Sequence, residues 1–599
     1  MENAKKLFTK LKIHSLLDLA LFVPTSYRDT TLSTETKVGE VGTFEASVEN
    51  IGTVGGKLRV TFLLSRFGKK VSSVFFRATP YHYQLFTQGS KHTIQGRLEQ
   101  YNGYLQMPQP KSIKEIGKIV PKYKSTLKQE EMRELIATYI SERNLYNEGL
   151  DSAEVATLMQ LHFPKEMQEI YHEGKFKADI IQKLKFIEAY NHLKKLRAKR
   201  ADFPALRALE GDIRAFVGRL PFRLTVEQQA VISQIQVDLS REDKAAKRMV
   251  VGDVGSGKTM VILASVMMAL PHKSILMAPT SLLALQLYEE ACKHLPPEVT
   301  VALVMQGKDK GDYTVADFVI GTHALLYKED LPEASLVMVD EQHRFGTKQR
   351  AGLEALVSSG EKKPHFLQFS ATPIPRTQAM MESELLDVSL ITTTPFEREV
   401  QTQTISKPDF SNLLAHIKEE ISKQHQVLII YPLVEESTEI PYQSLDEARG
   451  FWETRFEDVY VTHGKDKDKE EVLLHFREQG NILLATTVVE VGISLPRLTL
   501  IVIVGAERLG LATLHQLRGR VGRNGLRSWC YLYSNTPNNP RLEQFSHTTN
   551  GFDIAKLDLK FRDSGDILDG SIQSGQRFKW LDMGEDEEIV AYAKGRVKN

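Results

Sequence analysis

The 599-residue sequence has very few cysteines, no long apolar run and almost no net charge. Its two cysteines, Cys292 and Cys530, have no second Cys or His at metal-ligand spacing, so no zinc site is visible and both are expected to be buried small side chains. No stretch approaches the roughly 20 apolar residues that a bilayer span needs, and no apolar core of signal-peptide length follows the N-terminus. We therefore expect a cytoplasmic protein with no membrane partner.

The charge balance excludes binding of nucleic acid through a strong overall positive charge. The 77 basic and 76 acidic residues leave a formal net charge of +1. Because no strong field of one sign surrounds such a chain, any contact with DNA has to come from local basic patches.

The spacing of apolar residues changes several times along the chain. Alternating stretches with the turn dipeptides Gly55-Gly56 and Asn102-Gly103 predict a small β-barrel of the OB type. Farther on, two successive blocks of short apolar strands alternating with helices predict an α/β fold with two tandem, mostly parallel-sheet lobes. The predicted segments are a helical N-terminal segment (1–37), an OB-fold barrel (38–115), a helical linker (116–219), a first lobe (220–393), a second lobe (394–537) and a C-terminal segment (538–599).

A phosphate-loop pattern, G-x-x-x-x-G-K-[ST], begins at Gly252 and reads Gly-Asp-Val-Gly-Ser-Gly-Lys-Thr. It follows a predicted strand and precedes a predicted helix, a context that disfavours the alternative of an ordinary glycine-rich turn. Its glycines, with Gly255 and Gly257, let backbone N–H groups surround the phosphates of a nucleotide. Lys258 is then expected to neutralise the β and γ oxygens of ATP, and Thr259 to ligate Mg²⁺.

Two carboxylates, Asp340 and Glu341, follow the predicted strand 336–339. A carboxylate at the end of a buried strand beside a phosphate loop is placed to hold the second side of Mg²⁺, and Asp340 has that position. Glu341 would orient or deprotonate the attacking water. A solvated acidic turn is the alternative, and the phosphate loop earlier on the same sheet argues against it.

Two weaker signals precede the phosphate loop. Gln228 carries an amide donor and an acceptor, which suit the edges of adenine, and Phe222 could stack near the base. A plain helix start capped by Thr225 explains the same segment equally well.

The second lobe contains Gln516 followed by Arg518, Arg520 and Arg523. Three arginines so closely spaced are not expected in a core. An ATPase needs a cation to stabilise charge on the transferring phosphate, and Arg520 and Arg523 are the candidates from the second lobe. Gln516 could sense the nucleotide or bound water. A solvated basic face is the alternative.

Taken together, the motifs form an ordered series that resembles helicase superfamily 2 and, within it, the RecG branch-migration translocases. Further members of the series are Met-Ala-Pro-Thr (277–280), Gly-Thr-His (321–323), Asp-Glu-Gln-His-Arg-Phe-Gly (340–346), Ser-Ala-Thr-Pro-Ile-Pro-Arg-Thr (370–377), Ala-Thr-Thr-Val-Val-Glu-Val-Gly (485–492) and Glu-Arg-Leu-Gly-Leu (507–511). The resemblance implies two RecA-like lobes behind an OB-fold wedge domain and a helical linker, with ATP and Mg²⁺ as cofactors and branched double-stranded DNA as partner.

The resemblance also implies roles that spacing alone does not give. Ser370 and Thr372 lie in the family's segment that couples hydrolysis to DNA grip, and four threonines lie at family positions that touch the DNA backbone. Capped loops would explain all of these residues individually. The threonines are Thr280, Thr322, Thr486 and Thr487.

An aromatic cluster in the barrel includes Phe75, Phe76 and Tyr81. Bases exposed at a fork can stack on such rings, and Phe76 and Tyr81 are the stacking candidates by family position. Filling of the barrel core is the alternative, and for Phe75 the two interpretations are evenly balanced.

The C-terminal segment resembles a helical hairpin and loop that, in the family, convert lobe closure into duplex movement. Arg562 and Gln573 fall on family positions in this segment. Asp-Ser-Gly-Asp (563–566) and Ser-Ile (571–572) depart from the usual Gly-Pro-Gly-Glu and Thr-Arg. A surface loop with no motor role is the alternative.

These observations predict a monomeric, ATP-dependent DNA helicase that remodels branched DNA, by fork regression and branch migration, in recombination and repair. Single-stranded DNA-binding protein is a candidate partner. Only about 37 residues precede the barrel, fewer than in many relatives. The rival predictions are an RNA helicase, a non-catalytic junction-binding scaffold and, ranked last, a transcription-coupled translocase.

Overall fold

The computed structural model describes residues 2–598, apart from 173–174, 342–344, 346–351, 354–360, 373, 396–398, 435–441, 465, 487–493, 523–524, 537 and 570–577. The chain divides into two compact units, one of residues 1–192 with 578–581 and the other of residues 193–577 with 582–599. Within the described part of the chain, no helix combines the length and the apolar character needed to cross a membrane.

The first unit is built mainly from antiparallel strands. They are β1 (Ser26–Asp29), β2 (Val41–Val54), β3 (Lys57–Leu64), β4 (Lys69–Phe75), β5 (Lys91–Arg97), β6 (Glu99–Tyr101), β7 (Tyr104–Gln106), β8 (Lys111–Ser112), β9 (Ile119–Lys122), β10 (Tyr171–His172) and β11 (Lys175–Phe176). The main sheet has the order β6-β7-β4-β3-β2-β5-β8, while β1 pairs with β9 and β10 with β11. Along β3, alternate residues from Leu58 to Leu64 are fully buried, so one face of the sheet forms the core.

Local turn signals and long-range pairing differ in how well the sequence predicts them. Gly55-Gly56 and Asn102-Gly103 have positive φ and join β2 to β3 and β6 to β7, as predicted. The segment predicted to be helical, 1–37, also contains β1, whose partner β9 lies far along the chain where no local pattern indicates it. The helices of this unit are Glu2–Leu11, Leu16–Ala20, Pro80–Leu85, Gln129–Tyr139, Glu142–Asn147, Ser152–His162 and the first part of Ala178–Lys199.

The second unit contains the two predicted α/β lobes. The first-lobe strands are β12 (Lys247–Gly252), β13 (Ser274–Met277), β14 (Val301–Val304), β15 (Phe318–Gly321), β16 (Leu336–Val339), β17 (His365–Ser370) and β18 (Asp387–Ile391). They form a parallel sheet in the order β14-β15-β13-β16-β17-β12-β18. The flanking helices are Arg214–Arg219, Val226–Leu239, Lys258–Ala269, Ser281–His294 and Arg376–Glu382. Strands β13, β15 and β16 are buried at every position, which explains their continuous apolar sequence.

The second lobe repeats this architecture. Its strands are β19 (Val400–Ile405), β20 (Gln426–Ile430), β21 (Val459–Thr462), β22 (Ile482–Ala485), β23 (Leu498–Val504) and β24 (Ser528–Tyr533), in the parallel order β19-β24-β23-β20-β22-β21. The helices that follow β19 are Phe410–Ser422, Leu445–Glu453, Lys469–Gln479, Leu511–Arg518, Pro540–His547, Gly551–Asp569 and Glu587–Lys598. The predicted fold class, a small β domain before two parallel α/β lobes, is confirmed.

The two cysteines have different environments. Cys530 is buried in β24, as predicted. Cys292 is exposed, so its predicted burial is wrong. It lies on the helix Ser281–His294 beside the buried Ala291, and a one-residue step around a helix moves a side chain off the buried stripe.

Candidate nucleotide-binding site

The phosphate loop joins β12 to the helix Lys258–Ala269, as the predicted strand–loop–helix context requires. Gly257 has a φ of 76°, and a Cβ there would collide with the side-chain amide of Gln228, so only glycine fits. The Lys258 ammonium donates to the carbonyl oxygens of Gly252 (2.8 Å) and Asp253 (3.1 Å), and Thr259 follows it, half-buried, in the first helical turn. The loop therefore encloses its lysine.

Gln228 contacts the phosphate loop directly. Its side chain is 2% exposed; Nε2 donates to the Ser256 carbonyl (2.8 Å), and Oε1 accepts from the Thr225 backbone N–H (2.8 Å). The Thr225 hydroxyl in turn accepts from the Gln228 backbone, so the helix cap considered for this segment is present. In this conformation the amide links the start of the helix to the phosphate loop, a contact that the sequence did not predict.

Phe222 occupies a separate position in the first lobe. It lines a cavity of about 840 Å³ together with Arg223, Leu224 and Gln229, and its ring packs edge-on against His294 at a centroid distance of 6.1 Å. Gln228 is not among the residues that line this cavity. The structure therefore does not bring the two predicted base-recognition residues to one surface.

Asp340 and Glu341 lie at the carboxyl end of β16, and Glu341 has the left-handed backbone conformation, with a φ of 50°. Asp340 is almost fully buried and accepts the Glu341 backbone N–H at 2.9 Å. Burial, and next the neighbouring carboxylate of Glu341, raise the pKa of Asp340 to about 7, while the Lys258 ammonium acts in the opposite direction. The predicted acid pair and the phosphate-loop lysine are therefore close enough to interact electrostatically.

A hydrogen-bonded path runs from the acid pair to the second lobe. Glu341 Oε2 accepts from the Ala371 backbone N–H at 3.3 Å, and the Thr372 hydroxyl accepts from Gln516 Nε2 at 2.8 Å. Ser370 Oγ caps the turn between them by accepting the Thr372 N–H at 3.2 Å. The predicted coupling segment therefore lies between Glu341 and Gln516.

The second-lobe arginines do not share one environment. Arg518 is 5% exposed; its guanidinium donates to the carbonyl oxygens of Phe545 (3.1 Å) and Thr548 (2.8 Å) and lies over the Phe545 ring at 4.3 Å. The expectation that none of these arginines belongs to a core is therefore wrong for Arg518, because backbone carbonyls satisfy its donors. Arg520 is half-buried, and Arg523 lies outside the described residues.

Asp253, within the phosphate loop, is a central contact that sequence reasoning missed. Its buried carboxylate accepts from His515 Nε2 (2.5 Å), from the Gly551 backbone N–H (2.8 Å) and from the Val254 N–H (2.6 Å). Burial alone would raise the pKa of Asp253, but these hydrogen bonds, led by that from His515, hold the pKa below its ordinary value. An acidic residue inside a loop that is expected to bind phosphate anions was the available signal.

The phosphate loop around Asp253 packs closely against both the helix Gly551–Asp569 and the end of the helix Leu511–Arg518. A Cβ on Gly551 would lie 2.6 Å from an Asp253 carboxylate oxygen, and a Cβ on Gly519 would lie 2.5 Å from Val254 Cγ1. Arg518 Nη2 lies 3.3 Å from His515 Nδ1. Because arginine only donates, Nδ1 accepts and Nε2 carries the proton shared with Asp253.

The predicted DNA-contacting threonines occupy loop positions. Thr280 and Thr322 follow β13 and β15, and their hydroxyls accept backbone N–H groups at 3.3 Å, from Leu283 and Ala324 respectively. These are the capped loops weighed as the alternative. Thr486 follows β22 and is 9% exposed. Thr487 lies outside the described residues.

The aromatic cluster separates into buried and exposed rings. Phe75 is 3% exposed and belongs to the core, which decides the balance for that residue. Phe76 and Tyr81 are 52% and 56% exposed, and Lys57 Nζ lies 4.9 Å from the centre of the Phe76 ring. Of the C-terminal candidates, Arg562 lies in the helix Gly551–Asp569 without a described side chain, and Gln573 lies outside the described residues.

Known helicase families match both lobes of the chain. Residues 225–381 match the DEAD/DEAH box helicase family, and residues 409–525 match the helicase conserved C-terminal domain. The chain is 44% identical over 608 residues to the ATP-dependent DNA helicase RecG of Helicobacter pylori, covering 99% of this chain and 97% of that protein. It is 33% identical to the RecG of Aquifex aeolicus, covering 98% and 81%.

A solved structure supports the same relationship. The structure of RecG bound to a three-way DNA junction matches with a TM-score of 0.56 and 26% sequence identity, covering 98% of this chain and 84% of that one. With relatives at 44% and 33% identity that cover nearly the whole chain, the chain belongs to the RecG family of ATP-dependent DNA helicases.

Proposed function

We propose that the chain hydrolyses ATP between its two lobes and uses the cycle to move along the duplex arms of branched DNA. The path from Glu341 through Ala371 and Thr372 to Gln516 is the observation that carries this proposal. It gives the hydrolytic residues of one lobe a mechanical connection to the other lobe, and opening and closing of lobes around a nucleotide is how such motors step.

The proposed roles in hydrolysis follow from position and chemistry. Lys258 binds the β and γ phosphates, Glu341 orients the attacking water, and Arg520 and Arg523 complete the charge around the transferring phosphoryl group. Gln516 senses the state of the nucleotide through Thr372.

The donor set fits Mg²⁺. The Asp340 carboxylate and the Thr259 hydroxyl are hard oxygen donors of the kind that this ion takes, and Asp340 is buried beside a second carboxylate, where a cation is favoured. We assign Mg²⁺ to these two residues. Bound Mg²⁺ supplies charge neutralisation of the phosphate oxygens.

The base is assigned to the cavity lined by Phe222, whose ring is available to stack. The Gln228 amide is engaged with Thr225 and Ser256. Its proposed role is therefore to align the phosphate loop with the segment that leads to Phe222. Gln228 could contact the base only if its hydrogen bonds to Thr225 and Ser256 changed.

The proposed substrate is branched double-stranded DNA, as in the relative that was solved with a three-way junction. Thr280, Thr322, Thr486 and Thr487 would hold the DNA backbone, and Phe76 and Tyr81 would stack on bases opened at the branch point. Arg562 and Gln573 would couple lobe closure to duplex movement. The motor is proposed to act as a monomer in fork regression and branch migration, with single-stranded DNA-binding protein as a candidate partner.

A comparison of DNA substrates tests the proposal. We expect ATP hydrolysis to be stimulated more by three-way and four-way junctions than by bubbles, linear duplex or structured RNA. Lys258→Ala should abolish hydrolysis and unwinding while junction binding persists, and the exposed Lys308→Ala should behave as wild type. Preference for RNA would favour the RNA-helicase alternative, absence of phosphate release would favour a scaffold, and unwinding by Lys258→Ala would refute the motor.

A further inference from the structure

A basic cavity lies in the first unit, and none of its lining residues is among those assigned above. It encloses about 330 Å³ between the β1–β9 pair and the start of the helix Gln129–Tyr139. Four cationic side chains and one carboxylate, Glu130, line it, which leaves an excess of three formal positive charges. The cationic residues are Arg28, Lys122, Lys128 and Arg133.

The backbone explains why these residues converge. In the β1–β9 register Arg28 faces Val120 and Ser26 faces Lys122, so Arg28 and Lys122 point to the same side of the pair. On the helix, Gln129 and Arg133 are four residues apart and share one face. The cavity is therefore formed by two paired strands and a helix, with Lys128 directly before that helix.

One buried donor of the cavity lacks an acceptor among the described residues. Arg28 Nε is buried and has no hydrogen-bond partner within the described part of the chain. None of the four cationic side chains forms an ion pair with a described carboxylate. Gln129 does not compensate, because its side chain is engaged with the Tyr123 backbone at 2.7 and 3.0 Å. A buried guanidinium N–H without an acceptor is unfavourable, and an anion entering the cavity would relieve this.

We propose that this cavity binds a phosphate oxyanion, and that the DNA backbone supplies it. Guanidinium groups suit tetrahedral oxyanions because their fixed N–H donors match several oxygens at once. The lining contains no aromatic ring, so a nucleobase would find no stacking partner there. The assignment of DNA rests on the proposed function, and such a contact would position a duplex arm without reading its sequence.

Charge-removing variants of the full chain test this assignment. Arg28→Gln is compared with the double variant Lys122→Gln/Lys128→Gln. Because Lys122 and Lys128 are exposed, the double variant should fold normally even if replacement of the half-buried Arg28 disturbs the fold. Arg143→Gln, exposed on the helix Glu142–Asn147, is the matched control. Affinity for a labelled three-way junction and for linear duplexes of different sequence is measured over a range of salt concentrations.

Removal of a backbone contact predicts a specific signature. Both cavity variants should bind DNA roughly 10-fold more weakly, by a similar factor for every duplex sequence. The slope of log affinity against log salt should become shallower by about 1, as expected for one phosphate lost. Arg143→Gln should change neither quantity.

A second arm separates DNA from free phosphate. Inorganic phosphate is titrated against wild type and both cavity variants and followed by ³¹P NMR. Loss of DNA affinity in the variants supports the DNA backbone as the source, and loss of phosphate binding alone reassigns the cavity to a free anion. Variants that match wild type in both arms overturn the proposal. A wild-type chain that binds no DNA contradicts the proposed function, and the phosphate arm still decides whether the cavity takes an oxyanion.

Discussion

Two adjacent aromatic residues, Phe75 and Phe76, have opposite environments. Phe75 packs against Phe86 and His82, at ring distances of 5.4 and 5.0 Å, whereas Phe76 is 52% exposed beside Lys57. Phe75 ends β4 and Phe76 begins the turn that follows. Alternation along the predicted strand indicates that such neighbours face opposite ways, but it does not say which one faces the core. The sequence therefore could not decide Phe75, while burial in the folded sheet does.

This difference predicts two separate phenotypes. Phe75→Ala should lower the free energy of opening of the β2–β4 region by about 3–5 kcal/mol, because it removes a fully packed ring. Phe76→Ala should change that quantity by less than about 0.5 kcal/mol but weaken junction binding by about 1–3 kcal/mol through lost base stacking. Hydrogen exchange of β3 amides and junction affinity, both in the full chain, measure the two effects. Equal destabilisation by both variants would contradict the assignment.

Three separate elements meet at Asp253: the phosphate loop, the helix Leu511–Arg518 and the helix Gly551–Asp569. The pKa of Asp253 lies below its ordinary value, so the carboxylate stabilises the fold fully above the unfolded-state pKa of about 4. That stability is lost as the pH falls through the lower, folded-state pKa. A carboxylate at the start of a helix also interacts favourably with the helix dipole.

Replacement of this carboxylate should change the response to acid. Asp253→Asn is expected to lower the unfolding temperature of the second unit at pH 7, and the gap to wild type should narrow as the pH falls below about 4. Scans of unfolding temperature against pH measure this, with the exposed Asp468→Asn as control. If the unfolding temperatures of Asp253→Asn and wild type differ by the same amount at pH 7 and pH 3, the charge of Asp253 does not stabilise the contact between the three elements.

The elements themselves were predictable to different degrees. The strands that precede the phosphate loop and the Asp340–Glu341 pair were predictable because each is a short apolar run followed by residues that can bind phosphate or a metal ion. β1 was not, because its partner is remote in sequence, and the burial of Arg518 depends on carbonyl oxygens supplied by Phe545 and Thr548. Contacts made across elements, such as Asp253 with His515, have no periodicity that a local pattern could reveal.

At the scale of the whole molecule, the movements of the two lobes have to be coupled. Gln516 of the second lobe donates to the Thr372 hydroxyl at 2.8 Å. This hydrogen bond directly connects the second lobe to the coupling segment of the first lobe, which contains Ser370 and Thr372. If it transmits the state of the nucleotide, its loss should separate ATP consumption from DNA movement rather than lower both equally. The side chains are part-buried, so one such bond contributes about 0.5–1.5 kcal/mol.

Thr372→Val keeps the shape of the side chain and removes the hydroxyl that accepts from Gln516. We expect the number of base pairs unwound per ATP hydrolysed to fall by roughly 3- to 10-fold, which corresponds to the loss of one hydrogen bond. Gln516→Ala should give a similar ratio, and the double variant should be no worse than either single variant, because both break the same contact. The measurement is parallel phosphate release and junction unwinding at saturating ATP. Additive losses in the double variant would mean that the two residues act independently, and the lobes would then be coupled by a different contact.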